Sequence, residues 1–333
     1  MSLSRRNVLT ALVGAGSAGL IRPTFGAAPL RVGVVGAGIV GASIAMHLAR
    51  SGAHVVVFEK MGPAQGATQN SFAWVNVFVD DGHYRALRMQ SLLAYRELDR
   101  RLSLNMVWGG YVDWASNAAE AAVVRSNAAQ LAGTAYPARS IGAEEFTQLD
   151  PNVNPGHIAE AIYSSIDAHL DPVFVTRRFL DAAAQAGAKI LYPCELTALE
   201  VDRGRFKGVV TSQGRFALDR LVVAAGVDRI LTKIGRFLPG AQGVRLDRLT
   251  LGFRPMPIDE FPVMGALPNL RDIHVAVTHS GVTLAPIVGR LTAEEVLHGS
   301  RAEMFARPTG RRGSPHPGQS NQPVGVPRAN RGQ

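Results

Sequence analysis

The chain has a single cysteine in 333 residues, Cys194, so no intramolecular disulfide can form. Cys194 stands in an apolar stretch over residues 190–199 and reads as a small buried residue, not a reactive thiol. No spacing of His, Cys, Asp or Glu repeats the pattern of a metal site. Long hydrophobic runs are missing too. The best candidate, residues 8–21, is too short and too rich in glycine to cross a bilayer, which takes about 20 apolar residues. Acidic residues are scarce at both ends. Of the net charge of +9, residues 1–30 carry +3 and residues 301–333 carry +5, which leaves +1 for the body. The positive balance therefore belongs to the termini and argues against a nucleic-acid partner.

Both ends read as something other than packed structure. Ser4, Arg5, Arg6, Asn7, Val8 and Leu9 resemble the twin-arginine export signal. A modest apolar run, Arg22, Pro23 and small residues near Gly26, Ala27 and Ala28 complete a signal peptide over 1–28. The expected partner is the twin-arginine export machinery, and the expected place is the periplasm, with membrane association left open. The alternative is a frayed basic terminus. Residues 301–333 are rich in Gly, Pro, Ser, Asn, Gln and Arg, show no apolar period, and are expected to be a disordered tail.

What organises the chain lies at residues 31–60. Val32, Val34 and Val35 form an apolar run suited to a buried strand. Gly36, Ala37, Gly38, Ile39, Val40 and Gly41 follow at once, and a helix is expected through Arg50, ended by Gly52. Residues 54–58 read as a second buried strand, with Glu59 and Lys60 at its end. In such a unit Gly36 permits the tight turn, Gly38 admits a pyrophosphate to the backbone, and Gly41 lets the helix approach the sheet. The helix N-terminus offers free N–H groups and partial positive charge. Glu59 lies 23 residues after Gly36, where an acid can accept ribose hydroxyls. A second GxGxxG, at Gly14, Gly16 and Gly19, lacks a following strand and acid and is rejected as a nucleotide site.

Beyond Glu59, residues 62–71 form a loop of small and hydroxylic side chains, including Gly66, Ala67, Thr68, Asn70 and Ser71. Helices are expected over 84–102, 118–131, 142–149 and 171–186, with Leu87, Leu92, Leu93 and Leu98 as the apolar face of the first. A strand is expected over 106–114. Short strands follow at 159–164, 189–191, 196–201, 208–211 and 215–218, and an apolar strand ends in Ala225 and Gly226. A helix over 227–234, strands over 249–254 and 272–278, and a last helix over 282–297 complete the chain. Trp74, Tyr111 and Trp114 are candidates to line a site, although aromatic residues at such spacing are more often core.

These pieces resemble the FAD-dependent D-amino-acid oxidase family, the group of glycine oxidases, sarcosine oxidases and D-amino-acid dehydrogenases. The resemblance covers residues 31–300 and rests on four places: the 36–59 unit; GATQNSFAWVN at 66–76; VVAAGVD at 222–228; and GFRPMPIDEFPVMG at 252–265 with THSGVTLAPIVG at 278–289. It implies an α/β fold, a Rossmann-like FAD-binding domain with an inserted, mostly antiparallel α+β substrate domain. Residues 29–83, 151–234 and 263–300 are assigned to the first, and 84–150 and 235–262 to the second.

By resemblance, Gly36, Ala37, Gly38, Ile39, Val40 and Gly41 match the pyrophosphate turn, and Glu59 with Lys60 the ribose end. Gly66, Ala67, Thr68, Asn70 and Ser71 match the loop beside the phosphates and ring. Leu196, Ala225 and Gly226 match further cofactor contacts. Ser280, Gly281, Val282 and Thr283 match the helix start that faces the flavin pyrimidine. Arg254 matches the arginine that clamps a substrate carboxylate, for which its planar fork is suited. His279 is a second catalytic candidate, or else a structural histidine at a strand–helix junction. No His or Cys stands where a covalent tether is expected, so FAD is expected to be non-covalent.

The implied reaction oxidises the C–N bond of a small amino acid or N-substituted glycine by hydride transfer to the flavin. The substrate partner is a small amino acid or amine, and oxygen or a respiratory chain takes the electrons. One departure stands out: only 25 residues, 227–251, separate the 222–226 strand from Gly252, where the family carries much of its substrate sheet. That leaves a truncated flavin-binding relative without turnover as the alternative, with an NAD(P)-linked dehydrogenase behind it.

Overall fold

The structure, a computed structural model, describes residues 28–225, 261–299, 301 and 304, apart from single positions 78, 80, 133, 152 and 269. The signal-peptide expectation for residues 1–27, Gly226, the 227–234 helix, Arg254 with its strand, the 235–260 part of the substrate domain and nearly all of the tail fall outside these residues.

A six-stranded sheet organises the fold. Its order is β13 (Val263–Leu267), β14 (Leu270–Val277), β12 (Arg220–Val223), β1 (Arg31–Val35), β2 (His54–Phe58) and β8 (Lys189–Leu191). All neighbours are parallel except β13, an antiparallel edge strand on β14. The central strands read as unbroken apolar runs because both faces are covered. Val32, Val34, Val55, Val57 and Val222 face one core, while Phe58, Leu221 and Val223 face another.

Helices cover the first face. α1 (Ile39–Arg50), α5 (Pro172–Gln185) and α6 (Gly281–His298) pack there, joined by α2 (Gly82–Leu102). The second face carries an antiparallel meander of β9 (Leu196–Asp202), β10 (Arg205–Thr211) and β11 (Gly214–Ala217). Cys194 is buried under that meander beside Phe58 and Phe206.

The helix ends follow local chemistry. Asp81 caps α2 by accepting from the Tyr84 amide at 2.8 Å. Asp171 caps α5 through the Val173 and Phe174 amides, with Pro172 at the first helical position. Gly299 closes α6 in the left-handed region at φ +71. Pro286, inside α6, has no N–H to give to the carbonyl four residues back, that of Val282. The hydroxyl of the fully buried Tyr95, from α2, donates to that carbonyl at 2.5 Å.

A second unit grows between β3 (Trp74–Val75) and β7 (Ala168–His169), which pair antiparallel and bracket residues 76–167. It holds the sheet β4 (Tyr111–Ala115), β6 (Glu160–Ser164), β5 (Ala138–Ser140), with α3 (Ala118–Leu131) and α4 (Ala143–Leu149). Two expected boundaries move. Strand β6 pairs with β4 and β5, so the unit extends past residue 150. Helix α2, expected to open the substrate domain at residue 84, instead buries Leu87, Tyr95, Leu98 and Leu102 in the main core. Leu93, expected on its apolar face, is 52% exposed, and Arg88 and Tyr95 occupy the buried stripe. Strands β3, β5, β7 and β13 were not expected: β3, β5 and β7 are two or three residues long, and β13 is marked by its antiparallel pairing with the next strand, β14, and not by its own pattern.

Candidate functional site

The parallel sheet brings the C-terminal ends of β1, β12 and β14 to one edge, where turns lead into α1 and α6. Gly36 takes φ +102, open to glycine without strain, and its amide donates to the Phe58 carbonyl at 2.9 Å. A Cβ on Gly41 would stand 2.0 Å from the Gly36 carbonyl oxygen, so α1 can start here only with glycine at that position. The Glu59 carboxylate accepts the Ala37 amide at 2.9 Å and the Met61 amide at 3.0 Å. Each oxygen keeps a further lone pair for another donor.

The loop after Glu59 folds back onto the start of α1. The Ala64 amide donates to the Ala37 carbonyl at 2.9 Å, and Thr68 Oγ1 accepts the Ile39 amide at 3.1 Å. Gly66, at φ +86, offers its carbonyl to the Asn70 side chain at 2.9 Å. Ser71 Oγ accepts the Ala73 amide at 3.0 Å. From the other side, Thr283 in the first turn of α6 donates its hydroxyl to the Trp74 carbonyl at 3.1 Å.

Between these pieces lies a cavity of about 380 Å³. Gly38, Ile39, Val40, Ala67, Thr68, Asn70, Ser71, Ala225, His279, Ser280, Gly281, Val282 and Thr283, all singled out in the sequence, line it. Gly36, Ala37, Gly41 and Glu59 shape the turn beneath without lining the cavity. Gly66 and the half-buried Lys60 do not line it either. Leu196 is displaced from it: its side chain packs in the cluster beneath the meander, with Cys194 and Leu199. Gly226 and Arg254 lie outside the described residues.

Trp74, one of the aromatic candidates of the sequence, lines the cavity. Phe72, Asn76, Val79 and Arg88, which the sequence reading did not assign to a site, line it as well. Trp74 packs on Tyr111 with ring centroids 4.8 Å apart and the planes tilted by 33°, whereas Trp114 packs on Phe146 and is not part of the lining. Arg88 carried one signal that could have been read: a charged residue on the buried stripe of an amphipathic helix. It is 7% exposed. Its Nη1 donates to Asn76 Oδ1 and its Nη2 to Ser280 Oγ, each at 2.6 Å, and its guanidinium lies 4.8 Å from the centre of the Tyr84 ring. Burial pulls its pKa below the ordinary value. His279 Nδ1 lies 3.4 Å from Ser280 Oγ.

Nearby, the buried Asp167 accepts the Tyr136 hydroxyl at 2.9 Å, and loss of hydration pushes its pKa up to about 6. A second depression, about 480 Å³, sits at Arg31, Arg205, Lys207, Asp219, Arg220 and Asp272. Its main charges neutralise one another, with Arg31–Asp219 at 2.6 Å and Arg220–Asp272 at 2.7 Å, and none of the residues singled out in the sequence lies there. Among the described residues, no group of three or more His, Cys, Asp or Glu could hold a metal ion, and no helix is long and apolar enough to cross a membrane.

The arrangement fits a dinucleotide cofactor. Two helix N-termini, those of α1 and α6, open on one cavity, and their partial positive charges suit phosphates at one and an electron-rich ring at the other. At the α1 end the wall is bare backbone: a Cβ on Gly38 would already stand 3.0 Å from Thr68 Oγ1.

A model described as FAD-dependent oxidoreductase matches residues 31–228 and 227–295. Human mitochondrial dimethylglycine dehydrogenase is 27% identical over 198 residues, 58% of this chain and 23% of that protein. The chain thus spans about a quarter of that relative. Glycine oxidase of Bacillus licheniformis is 23% identical over 346 positions, 79% of this chain and 92% of the relative. Among solved structures, L-proline dehydrogenase from P. horikoshii superposes with a TM-score of 0.73 at 19% identity, covering 83% of this chain and 95% of that one. Glycine oxidase from Bacillus cereus gives 0.71 at 18%, covering 83% and 97%.

Proposed function

The chain belongs to the FAD-dependent oxidoreductase family, and from that premise we propose that it oxidises the C–N bond of a small amino acid or N-substituted glycine. The observation that carries this reading is the convergence of the α1 and α6 N-termini on one cavity walled by the Thr68 loop. FAD, held here without a covalent link, would supply the hydride acceptor. Gly36, Gly38 and Gly41 would receive the pyrophosphate, Glu59 the ribose, and the first turn of α6 the pyrimidine end of the ring. Positive charge at Ser280–Thr283 would favour electron density there, by up to about 2 kcal/mol for a partly buried helix terminus. The remaining contribution is positional: a substrate held by its carboxylate presents its α-hydrogen in one orientation. Arg254 stands as the carboxylate clamp by resemblance.

The second reading is a flavin-binding relative without turnover. What favours it is the region around residue 227. The family model matches in two segments that meet at 227–228. An alignment of 346 positions that uses 79% of a 333-residue chain leaves many of the relative's residues facing gaps. We further propose export by the twin-arginine route to the periplasm, from the Ser4 to Leu9 motif.

Purified protein should carry a yellow chromophore that acid precipitation releases into the supernatant. Gly38→Val should remain folded and colourless, since a branched side chain there occupies the phosphate's place. Anaerobic addition of an amino-acid panel should bleach the flavin band. Protein that cannot take up FAD would refute the cofactor assignment. Protein that holds FAD but is bleached by no amino acid or amine would favour the relative without turnover.

A further inference from the structure

The end of the six-stranded sheet opposite the cofactor cavity gathers cations. Strands β1, β12 and β14 begin there, and their first residues join the start of β10 around the second depression. Both carboxylates in that depression are engaged. Asp219 accepts Arg31 Nη2 at 2.6 Å, Arg31 Nε at 3.1 Å and the Arg31 amide at 2.9 Å. Asp272 pairs with Arg220 at 2.7 Å. Arg205 and Lys207 line the same depression, are exposed, and make no ion pair among the described residues.

The charge continues beyond the depression. Arg203, in the turn of the β9–β10 hairpin, and Arg271, at the start of β14, are exposed. With Asp202 counted, six cations stand against three carboxylates at this pole. The whole body over residues 31–300 carries only +1, so its positive charge is concentrated here and the remainder is negative. A field of that kind draws anions to one side of a molecule. Beside the hairpin turn, Val201 leaves an aliphatic side chain 46% exposed.

The chain also enters the fold at this pole. Residues 28–30 lead into Arg31, so the sequence before them is joined to the body beside the depression. That sequence carries Arg5, Arg6, Arg22 and the apolar run at 8–21. The run is too short to cross a bilayer, and a single weak apolar anchor holds to a membrane only with a basic patch to assist it. On the export route proposed above, the pole that bears this segment is also the first to face a membrane.

We propose that this pole docks on an anionic lipid surface, with phosphate headgroups entering the depression between Arg205, Lys207 and Arg220. The cofactor cavity lies at the other end of the same strands, so docking leaves it open to small substrates.

The test is co-sedimentation of the full chain with vesicles, one set of phosphatidylcholine and one of phosphatidylcholine and phosphatidylglycerol in equal parts. The parent should pellet with the anionic vesicles and remain in solution with the neutral ones, and added salt should release it. Each cation near such a surface contributes roughly five-fold in binding. Arg203→Ser, Arg205→Ser and Lys207→Ser together should therefore weaken it by about a hundred-fold. These side chains are exposed and far from the cavity, so melting temperature and flavin content should match the parent. If the triple variant fails to fold, Lys207→Glu decides, since reversing one charge should weaken binding by roughly twenty-fold. Equal binding of the parent to neutral vesicles overturns the proposal. So does a folded triple variant, or Lys207→Glu, that binds anionic vesicles as the parent does, because the basic tail or the N-terminal segment would then suffice. Release by inorganic phosphate or by a DNA duplex, at the phosphate concentration of the lipid, also overturns it, in favour of a free-phosphate or nucleic-acid site. No readout depends on turnover, so an inactive or flavin-free protein would refute the function proposed above and leave this result standing.

Discussion

Tyr95 and Pro286 sit 191 positions apart and are coupled through one carbonyl oxygen. Proline at 286 removes the N–H that would close the helical bond to Val282, and the Tyr95 hydroxyl takes its place at 2.5 Å. Tyr95→Phe keeps the ring and deletes the donor, leaving a buried carbonyl unsatisfied. Such a group costs about 1–3 kcal/mol, a melting shift of roughly 2–12 °C at about 2–4 °C per kcal/mol for a chain of this size. Pro286→Ala supplies a backbone N–H in the same direction. In the Tyr95→Phe background it should therefore recover about 1 kcal/mol more than it does in the parent, a coupling read by a double-mutant cycle in chemical denaturation. The carbonyl lies in the turn of α6 that lines the cavity, so FAD affinity should follow the same order as stability. Strict additivity of the two substitutions would refute the reasoning, since it would mean that the hydroxyl and the missing N–H serve different oxygens.

Two further outcomes are expected. His47, on α1, has its pKa lowered from 6.5 to about 4, first by burial and then by Arg50, Arg290 and Arg101. The unfolded chain protonates near 6.5 and the folded one does not, so His47 makes the fold lose stability as pH falls from 6.5 toward 4, about 2 kcal/mol by pH 5. His47→Gln should flatten the melting temperature between pH 7 and pH 5 by that contribution, leaving the matching slope from His274, also lowered to about 4, and the opposite one from Asp167. An unchanged slope would refute it. For export, replacing Arg5 and Arg6 together by lysine should hold the protein in the cytoplasm, as read by cell fractionation; a variant still recovered from the periplasm would refute the signal.

The strand–turn–helix–strand unit over residues 31–59 was legible because everything in it is local. An apolar run, glycines at 36, 38 and 41 and an acid at 59 act within one supersecondary unit, and each residue's role follows from backbone sterics near it. The ends of α2, α3, α5 and α6 were readable for the same reason, from caps and periodicity. So was the start of α6, where Thr278, His279 and Ser280 lead from β14 into Gly281.

The fold alone decided the rest. That β6 leaves the expected FAD-binding segment to pair with β4 and β5, or that β3 and β7 meet across 76–167, depends on partners absent from the local pattern. Leu196 was placed at the cofactor by resemblance, and its side chain lies under the meander with Leu199 because the register of β9 on β10 shifts between Leu196 and Ala198. Arg88 shows the difference most sharply. In sequence it is one arginine among many in a surface-rich helix. It becomes a cation lining the cavity only when α2 packs on α6 and brings Ser280, 192 residues away, to its Nη2. Periodicity reports which face of a helix is buried, but the chemistry of that face is set by what lies opposite, and only the folded chain supplies the opposite side.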